Sequence, residues 1–119
     1  MEKIIKIEEA TIDQIKTFNL SKKDILYSLE INNQNIGNGI IRNNDKIEVY
    51  ILKEYQSQGY GTMLFKFLLK TINKEITIDL KIENIKMRKI IEKYNGVEVS
   101  RTEQIVKYAI PKLIIHNDF

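Results

Sequence analysis

The chain has 119 residues, of which 43% are hydrophobic and 29% are charged, and its formal net charge at pH 7 is +3. This length and composition predict one globular domain over residues 1–119 and exclude a chain too polar to fold. The absence of cysteine excludes disulfides and a thiol nucleophile, while the lack of a long apolar run or a secretory leader predicts a cytoplasmic protein without a membrane-spanning segment.

The first half of the chain predicts a strand, a short helix and an antiparallel meander. Thr11, followed by Gln14, forms a capping-box pattern that predicts the start of a helix with Ile12, Ile15 and Phe18 on one side. The β-rich runs after it are separated by two Asn-rich segments, which are typical of hairpin turns. The predicted strands are Lys3–Glu8, Ile25–Ile31, 36–42 and 46–52.

The second half predicts a polar loop, two helices and three strands. Apolar residues at helical spacing predict a well-buried helix over about 62–72, and alternation predicts a strand over 76–82. Asn84 is the candidate cap of a helix over about 85–94, which Asn95 and Gly96 end. A last hairpin is predicted from Val97–Arg101 and Ile105–Ile110, followed by a short C-terminal tail over 111–119.

The most informative segment is the loop Gln56-Ser57-Gln58-Gly59-Tyr60-Gly61, between a strand and a helix. A glycine-containing turn that enters a helix exposes backbone N–H groups and the positive end of the helix dipole, which favour phosphate. The alternative is a turn that only reverses the chain. Neither a P-loop lysine nor the third glycine of a dinucleotide fingerprint is present.

This segment resembles the acetyl-CoA loop of the GNAT N-acetyltransferase superfamily, Gln/Arg-x-x-Gly-x-Gly/Ala. Upstream, Val49-x-Ile51-x-Lys53-Glu54-Tyr55 resembles the family's Leu-x-Val-x-Pro-Glu-Tyr, with Lys53 in place of proline. Downstream, Leu80-x-x-x-Asn84-x-x-Met87 and Glu92-Lys93 before Gly96 also resemble family motifs. The resemblance covers about residues 25–110. It implies an α/β (α+β) fold with a mixed, mostly antiparallel, V-splayed sheet of about seven strands and about three helices.

The resemblance also implies acetyl-CoA as cosubstrate and gives its pose. The pyrophosphate is expected on the N–H groups from Gln58 to Thr62, and the pantetheine along the strand that ends near Lys53. Asn84 either binds the pantetheine or only caps its helix, and Lys86, Arg88 and Lys89 either reach the 3′-phosphate or lie on a solvated face. The residues implied in cosubstrate binding are Val49, Ile51, Lys53, Gln56, Ser57, Gln58, Gly59, Tyr60, Gly61, Thr62, Asn84, Met87 and Lys89.

The implied reaction is direct transfer of the acetyl group to a primary amine. A backbone N–H near Ile51 is the expected oxyanion donor. Of the two carboxylates on or beside the fourth strand, Glu48 and Asp45, Glu48 is the expected general base. The alternative is that Glu48 is only a surface residue of the strand. The family's usual tyrosine acid is replaced by Ile91, so Tyr94, three residues later on the same helical face, is the substitute candidate. For Tyr94 the alternative is core packing. His116 is not expected to take part in catalysis.

Two other functions are weighed against this one. A non-catalytic CoA-binding regulatory module is motivated by Ile91 and by the short N-terminal region. A small basic nucleic-acid-binding domain is disfavoured because the chain has no arginine-rich stripe or known binding motif. We therefore expect no nucleic acid, membrane or metal partner. The amine acceptor stays open between a small molecule and a peptide, and a homodimer is one alternative for the oligomeric state.

Overall fold

The structure is a computed structural model and describes residues 3–72 and 74–112. The end of the predicted tail, including His116, lies outside the described residues. The element order confirms the predicted β-α-β-β-β-α-β-α-β-β sequence. The elements are β1 Lys3–Glu8, α1 Ile12–Phe18, β2 Ile25–Ile31, β3 Gln34–Arg42, β4 Lys46–Ile51, a 3-10 turn Lys53–Tyr55, α2 Tyr60–Ile72, β5 Ile76–Lys81, α3 Ile85–Lys93, β6 Val97–Arg101 and β7 Ile105–Ile110.

The strands form one seven-stranded sheet in the order β1-β2-β3-β4-β5-β7-β6. All neighbouring strands are antiparallel except β4 and β5, which are parallel. Among the described residues, β4 and β5 are paired only at Lys46 and Thr77, where the Thr77 N–H donates to the Asp45 carbonyl at 2.9 Å. Beyond this point the two strands separate. The predicted mixed, mostly antiparallel and V-splayed sheet is confirmed.

On one face of the sheet, α2 packs over β3 and β4, and α3 lies beside α2. Gly39 permits this close packing, because a Cβ at position 39 would lie 2.9 Å from Leu68 Cδ1. The core between this face and the two helices is apolar and close to fully buried. It includes Ile36, Ile47, Leu64, Phe65, Leu68, Leu69, Ile78, Ile91 and Val106.

The short helix α1 lies on the opposite face. Neighbouring strand residues point to opposite faces, so Ile51 faces α2 while Tyr50 faces α1 and contacts Phe18, with ring centroids 5.2 Å apart. The predicted capping box is confirmed by the bonds between Thr11 and Gln14. The helix itself contributes no buried residue, and its apolar face is largely exposed. Local capping therefore contributes more than burial to the formation of α1.

Several element boundaries differ from the sequence predictions. The first hairpin turn is only Asn32-Asn33, both with positive φ, because β3 begins at Gln34. Helix α2 begins at Tyr60, so the second glycine of the loop lies inside the first helical turn. The predicted end of α3 is confirmed: Asn95 is left-handed, and the Gly96 N–H donates to the Ile91 carbonyl at 2.9 Å. Among the described helices, none combines the length and the apolar character that crossing a bilayer requires.

Candidate functional site

A cavity of about 410 Å³ opens where β4 and β5 separate. Its walls come from both faces of the sheet: the loop before α2 and the start of α3 contribute on one face, and polar side chains of β4 and β5 on the other. The gap between β4 and β5 is therefore lined by residues from both faces of the sheet. The residues that line it are Glu48, Val49, Tyr50, Ile51, Gln56, Ser57, Gly59, Gly61, Thr62, Ile78, Asp79, Leu80, Asn84, Lys86, Met87 and Ile90.

The backbone of β4 supplies an open hydrogen-bonding edge to this cavity. The Leu52 N–H donates to the Ile36 carbonyl at 2.9 Å. In an antiparallel ladder, the backbone groups of alternate residues point to opposite sides. The N–H and C=O groups of Val49 and Ile51 therefore point away from β3, towards the space that β5 has left. The Ile51 carbonyl accepts a hydrogen bond from Gln56 Nε2 at 2.9 Å.

The start of α2 faces the same cavity. Gly59 has φ +89°, a conformation that favours glycine, and nothing lies within 4 Å of a Cβ placed there. Its carbonyl accepts from the Met63 N–H at 3.1 Å, so Gly59 closes the first turn of the helix. Gly61 and Thr62 belong to that first turn, in which N–H groups have no acceptor within the helix. The positive end of the helix dipole thus points at open space beside β4.

Three of the implied loop residues support the loop and are not among the described residues that line the cavity. Gln58 Nε2 donates to the Glu54 carbonyl at 3.2 Å, and Lys53 lies in the 3-10 turn. The Tyr60 ring packs edge-on against Tyr55, with centroids 6.4 Å apart. These contacts fix the backbone shape of the loop. These three residues thus support the loop from outside the described cavity lining, while the loop backbone faces the cavity.

Helix α3 meets the cavity at its N-terminus. Asn84 lines the cavity, and its Oδ1 accepts from the Met87 N–H at 3.3 Å, so the predicted helix cap is present. Lys86 also lines the cavity, whereas Lys89 does not belong to its described lining. Arg88 donates to the Ile82 carbonyl at 2.9 Å and to the Tyr108 hydroxyl oxygen. These bonds join Arg88 on α3 to the residue that follows β5 and to β7.

Glu48 lies at the cavity wall, and other groups hold both of its carboxylate oxygens. Arg42 Nε donates to Oε2 at 2.6 Å and Nη2 to Oε1 at 3.1 Å, while the Tyr50 hydroxyl donates to Oε1 at 2.6 Å. Burial by itself would raise the pKa of the Glu48 carboxyl, but the hydrogen bonds from Arg42 and Tyr50 outweigh it and hold the pKa below its usual value. Burial and the Glu48 carboxylate raise the pKa of Tyr50 to about 12.

Asp79 is a cavity residue that the sequence reasoning missed. Its Oδ2 accepts from Lys46 Nζ at 2.6 Å, while its Oδ1 is buried and has no hydrogen-bond partner within the described part of the chain. In the sequence, Asp79 occupies the same face of the strand as Thr77 and Lys81, and the pattern predicts the same solvent-facing position for all three. Only the separation of β4 from β5 brings this carboxylate to the cavity.

Tyr94, the substitute candidate for the family's tyrosine, packs against the hydrophobic core. Its ring packs edge-on against Phe65, with centroids 6.1 Å apart, and it is not among the described residues that line the cavity. Ile91, at the position of the family's tyrosine, is fully buried in the core. The contact between Tyr94 and Phe65 corresponds to the core packing that the sequence left open as the alternative for Tyr94.

Comparison with known protein families gives one match that spans most of the chain. A model of the Acetyltransferase (GNAT) family matches residues 5–97. The matched segment runs from within β1 to the first residue of β6 and includes the loop before α2 and the whole cavity lining. Among curated protein sequences, none matches the chain at a significant level.

Solved structures with the same fold include a ribosomal-protein-S18-alanine N-acetyltransferase from Escherichia coli, with a TM-score of 0.73 and 14% identity over 98% of this chain and 99% of that one. An N-acetyltransferase from Staphylococcus aureus Mu50 has a TM-score of 0.72 and 12% identity, covering 93% and 99% of the two chains. A GNAT family acetyltransferase from Elizabethkingia anophelis with acetyl-CoA bound has a TM-score of 0.68 and 14% identity, covering 92% and 97%. At these identities the similarity shows the fold.

Proposed function

Because the chain belongs to the GNAT acetyltransferase family, we propose that it transfers the acetyl group of acetyl-CoA directly to a primary amine. The observation that carries this proposal is the cavity at the splay of β4 and β5. One side of it offers the N-terminus of α2 and an open strand edge, which suit the cosubstrate. The other side offers the carboxylates Glu48 and Asp79, which suit a cationic amine.

The cosubstrate pose uses backbone groups more than side chains. The pyrophosphate would lie against the first turn of α2, where Gly59 and Gly61 leave room for its approach. The pantetheine would run beside β4 and bond the backbone groups of Val49 and Ile51 in place of the missing β5 partner. The Asn84 side chain, whose oxygen caps α3, would donate from its amide nitrogen. Lys86 and Lys89 are the proposed cations for the 3′-phosphate.

The transfer then follows from this geometry. The neutral amine attacks the thioester carbonyl carbon, a C–N bond forms, and the carbonyl oxygen becomes an oxyanion that a β4 N–H near Ile51 would stabilise. The C–S bond then breaks, the thiolate of CoA leaves, and the positively charged nitrogen gives one proton to water, which leaves the neutral amide. We propose Tyr94 or water as the proton source for the thiolate. The packing of the Tyr94 ring against Phe65, outside the described cavity lining, favours water.

Glu48 remains our proposed base for the acceptor ammonium. Its carboxylate is held charged by Arg42 and Tyr50, so it would accept the proton through a water molecule or steer the ammonium towards the thioester. Asp79 is a second proposed base, because its Oδ1 is without a hydrogen-bond partner among the described residues. Separate Glu48→Gln and Asp79→Asn variants would show which carboxylate governs the acidic limb of the pH–rate profile.

An acceptor screen tests the proposed function. The protein is mixed with acetyl-CoA and panels of peptides with free N-termini, polyamines, aminoglycosides and small amines, and free thiol is measured with acetylated product confirmed by mass. We expect thiol release that depends on one of these amine classes. CoA binding by calorimetry without any acetylated product would favour the non-catalytic regulatory module. Absence of CoA binding would refute both.

A further inference from the structure

We propose that Arg42 is a positioning residue for the acetyl transfer: its guanidinium fastens α1 and the loop after it to β4 and fixes Glu48 and Tyr50 beside the cavity. The proposal rests on the proposed function, because the strand that Arg42 braces is the one that carries the candidate base. Arg42 itself is not among the described residues that line the cavity, so it would act through its partners.

All five N–H groups of the Arg42 guanidinium have an acceptor. Nε and Nη2 form a two-pronged pair with the Glu48 carboxylate at 2.6 and 3.1 Å. Nη1 donates to the Asn19 carbonyl at 3.0 Å and to Asp24 Oδ2 at 3.3 Å, and Nη2 also donates to the Phe18 carbonyl. A planar guanidinium presents its donors in a fixed fork, so these bonds define one geometry for the three segments that it joins.

Arg42 is a principal attachment of α1 to the sheet. The helix buries no residue of its own, and the carbonyls that Arg42 binds belong to Phe18, its last residue, and to Asn19, its C-cap. Carbonyls at a helix C-terminus lack intrahelical donors and carry the negative end of the dipole, so a cation there is favourable. The Phe18 ring adds an apolar contact with Tyr50. The position of α1 therefore depends on residues at the candidate active site.

The charge of Glu48 depends on the same contact. Burial would raise the pKa of this carboxyl, and Arg42, through its hydrogen bonds and charge, is the main group that opposes this effect. The other groups near Glu48 are the Tyr50 hydroxyl and Lys46 on β4, together with Asp24, which shares Arg42 from the loop before β2. Without Arg42, a partly buried carboxylate would lose its counter-ion and its fixed orientation.

Arg42 also links the walls of two cavities. Glu48 lines the cavity at the splay, and Asp24 lines a second cavity of about 500 Å³ beneath α1. This second cavity is largely apolar and is bounded by Ile15, Leu20 and Leu26. An acceptor that approaches on this face of the sheet would meet a wall whose shape Arg42 sets.

The experiment compares Arg42→Gln and Arg42→Lys with Asp24→Asn and with Arg101→Gln, a control whose exposed pair with Glu98 lies on β6. For each folded variant we measure kcat, both KM values, the pH profile of kcat/KM and the Kd for CoA. The carboxyl titration of Glu48 is followed separately by ¹³C NMR, with Glu48→Gln used to assign its signal. This titration needs no acetyl transfer, so it tests the contact independently of the proposed function.

We expect Arg42→Gln to lower kcat/KM for the amine by about 10²-fold, since misplacement of a reacting group by about 1 Å has this scale of effect. The pKa of Glu48 should rise when the opposite charge is removed, because burial then acts without the opposing Arg42 contact. Arg42→Lys should restore most of this pKa but less of the rate, because lysine lacks the fork. Asp24→Asn should raise the KM for the amine without moving the Glu48 pKa. CoA affinity should stay parental throughout, as should every value for Arg101→Gln.

Two results would overturn the proposal. In the first, Arg42→Gln keeps the parental kcat/KM and the parental pKa of Glu48. In the second, the activity of Arg42→Gln falls only in proportion to the folded fraction and the pKa of Glu48 is unchanged, which is the result expected of a purely structural residue. If Arg42→Gln does not fold, Arg42→Lys decides by the same two readouts, and a parental KM for the amine in Asp24→Asn would also count against the proposal. A parent protein that transfers no acetyl group, but whose Glu48 pKa depends on Arg42, would refute the proposed function and leave the structural link in place.

Discussion

Replacement of Gly61 with alanine should weaken CoA binding while it stabilises the free protein. Gly61 lies in the first turn of α2 without a positive φ, and a Cβ placed there would be 3.7 Å from Ile51 Cγ1, which is an ordinary contact. Alanine in a compatible helical position stabilises a protein by about 0.4–1 kcal/mol, chiefly through the unfolded state. For a domain of this size, that corresponds to a rise in Tm of roughly 2–5 °C.

The added methyl group would stand between α2 and β4, where the pyrophosphate is proposed to approach. Loss of one charge-assisted hydrogen bond costs about 1.5–3 kcal/mol, which raises Kd about 10–150-fold. At a CoA concentration of 100 times the parental Kd, the parent gains about 2.7 kcal/mol from the ligand. A variant with a hundredfold higher Kd gains only about 0.4 kcal/mol under the same conditions.

Thermal melts with and without CoA, together with calorimetry, measure both effects. Thr71→Ala is the matched control, because it also introduces alanine into α2, at an exposed position about 15 Å along the helix from Gly61. The control should keep the parental Kd. If Gly61→Ala also binds CoA with the parental Kd, the ligand does not approach the helix at this turn and the proposed pose is wrong.

Glu48→Gln should lower kcat/KM by about 10²–10⁴-fold with CoA binding retained, and a parental rate would transfer the role of base to Asp79. Tyr94→Phe should keep parental stability and kcat, because the ring packs against Phe65; a fall of about 10²-fold in kcat would instead assign the thiolate's proton to Tyr94. Burial would raise the pKa values of Glu48 and Asp24, but their hydrogen bonds lower them below the usual 4.5 and 3.8. Their contribution to stability is therefore present above those usual values and is lost as the pH falls through the native pKa values. Denaturant titrations between about pH 5 and pH 2 should show this loss, with a shallower slope for Glu48→Gln; equal slopes would contradict it.

The sequence by itself determined features that depend on near neighbours in the chain. The capping box joins Thr11 and Gln14 across one helical turn, and Asn32 and Asn33 adopt the left-handed backbone that their residue type favours. The loop motif from Gln56 to Gly61 identified the family before any contact was known, and the family match confirmed it. Each signal is encoded within a few residues and survives in any tertiary arrangement.

The tertiary structure decided the element boundaries and the side-chain contacts that depend on packing. Helix α2 begins at Tyr60, so Gly61 is helical and not part of the loop. Tyr94 could have turned towards the cavity or the core on helical spacing alone, and its contact with Phe65 shows the core. Periodicity gives the face of a helix but not the element that the face meets.

Only the tertiary structure decided which polar groups meet at the site. Among the described residues, β4 and β5 form a single pair and Asp79 Oδ1, at the cavity beyond that pair, has no hydrogen-bond partner. Arg42 joins carbonyls and carboxylates between 6 and 24 residues away in the chain. Such contacts depend on strand register and on the angle at which the sheet splays. Those quantities are set by packing of the whole core, which no local stretch of sequence specifies.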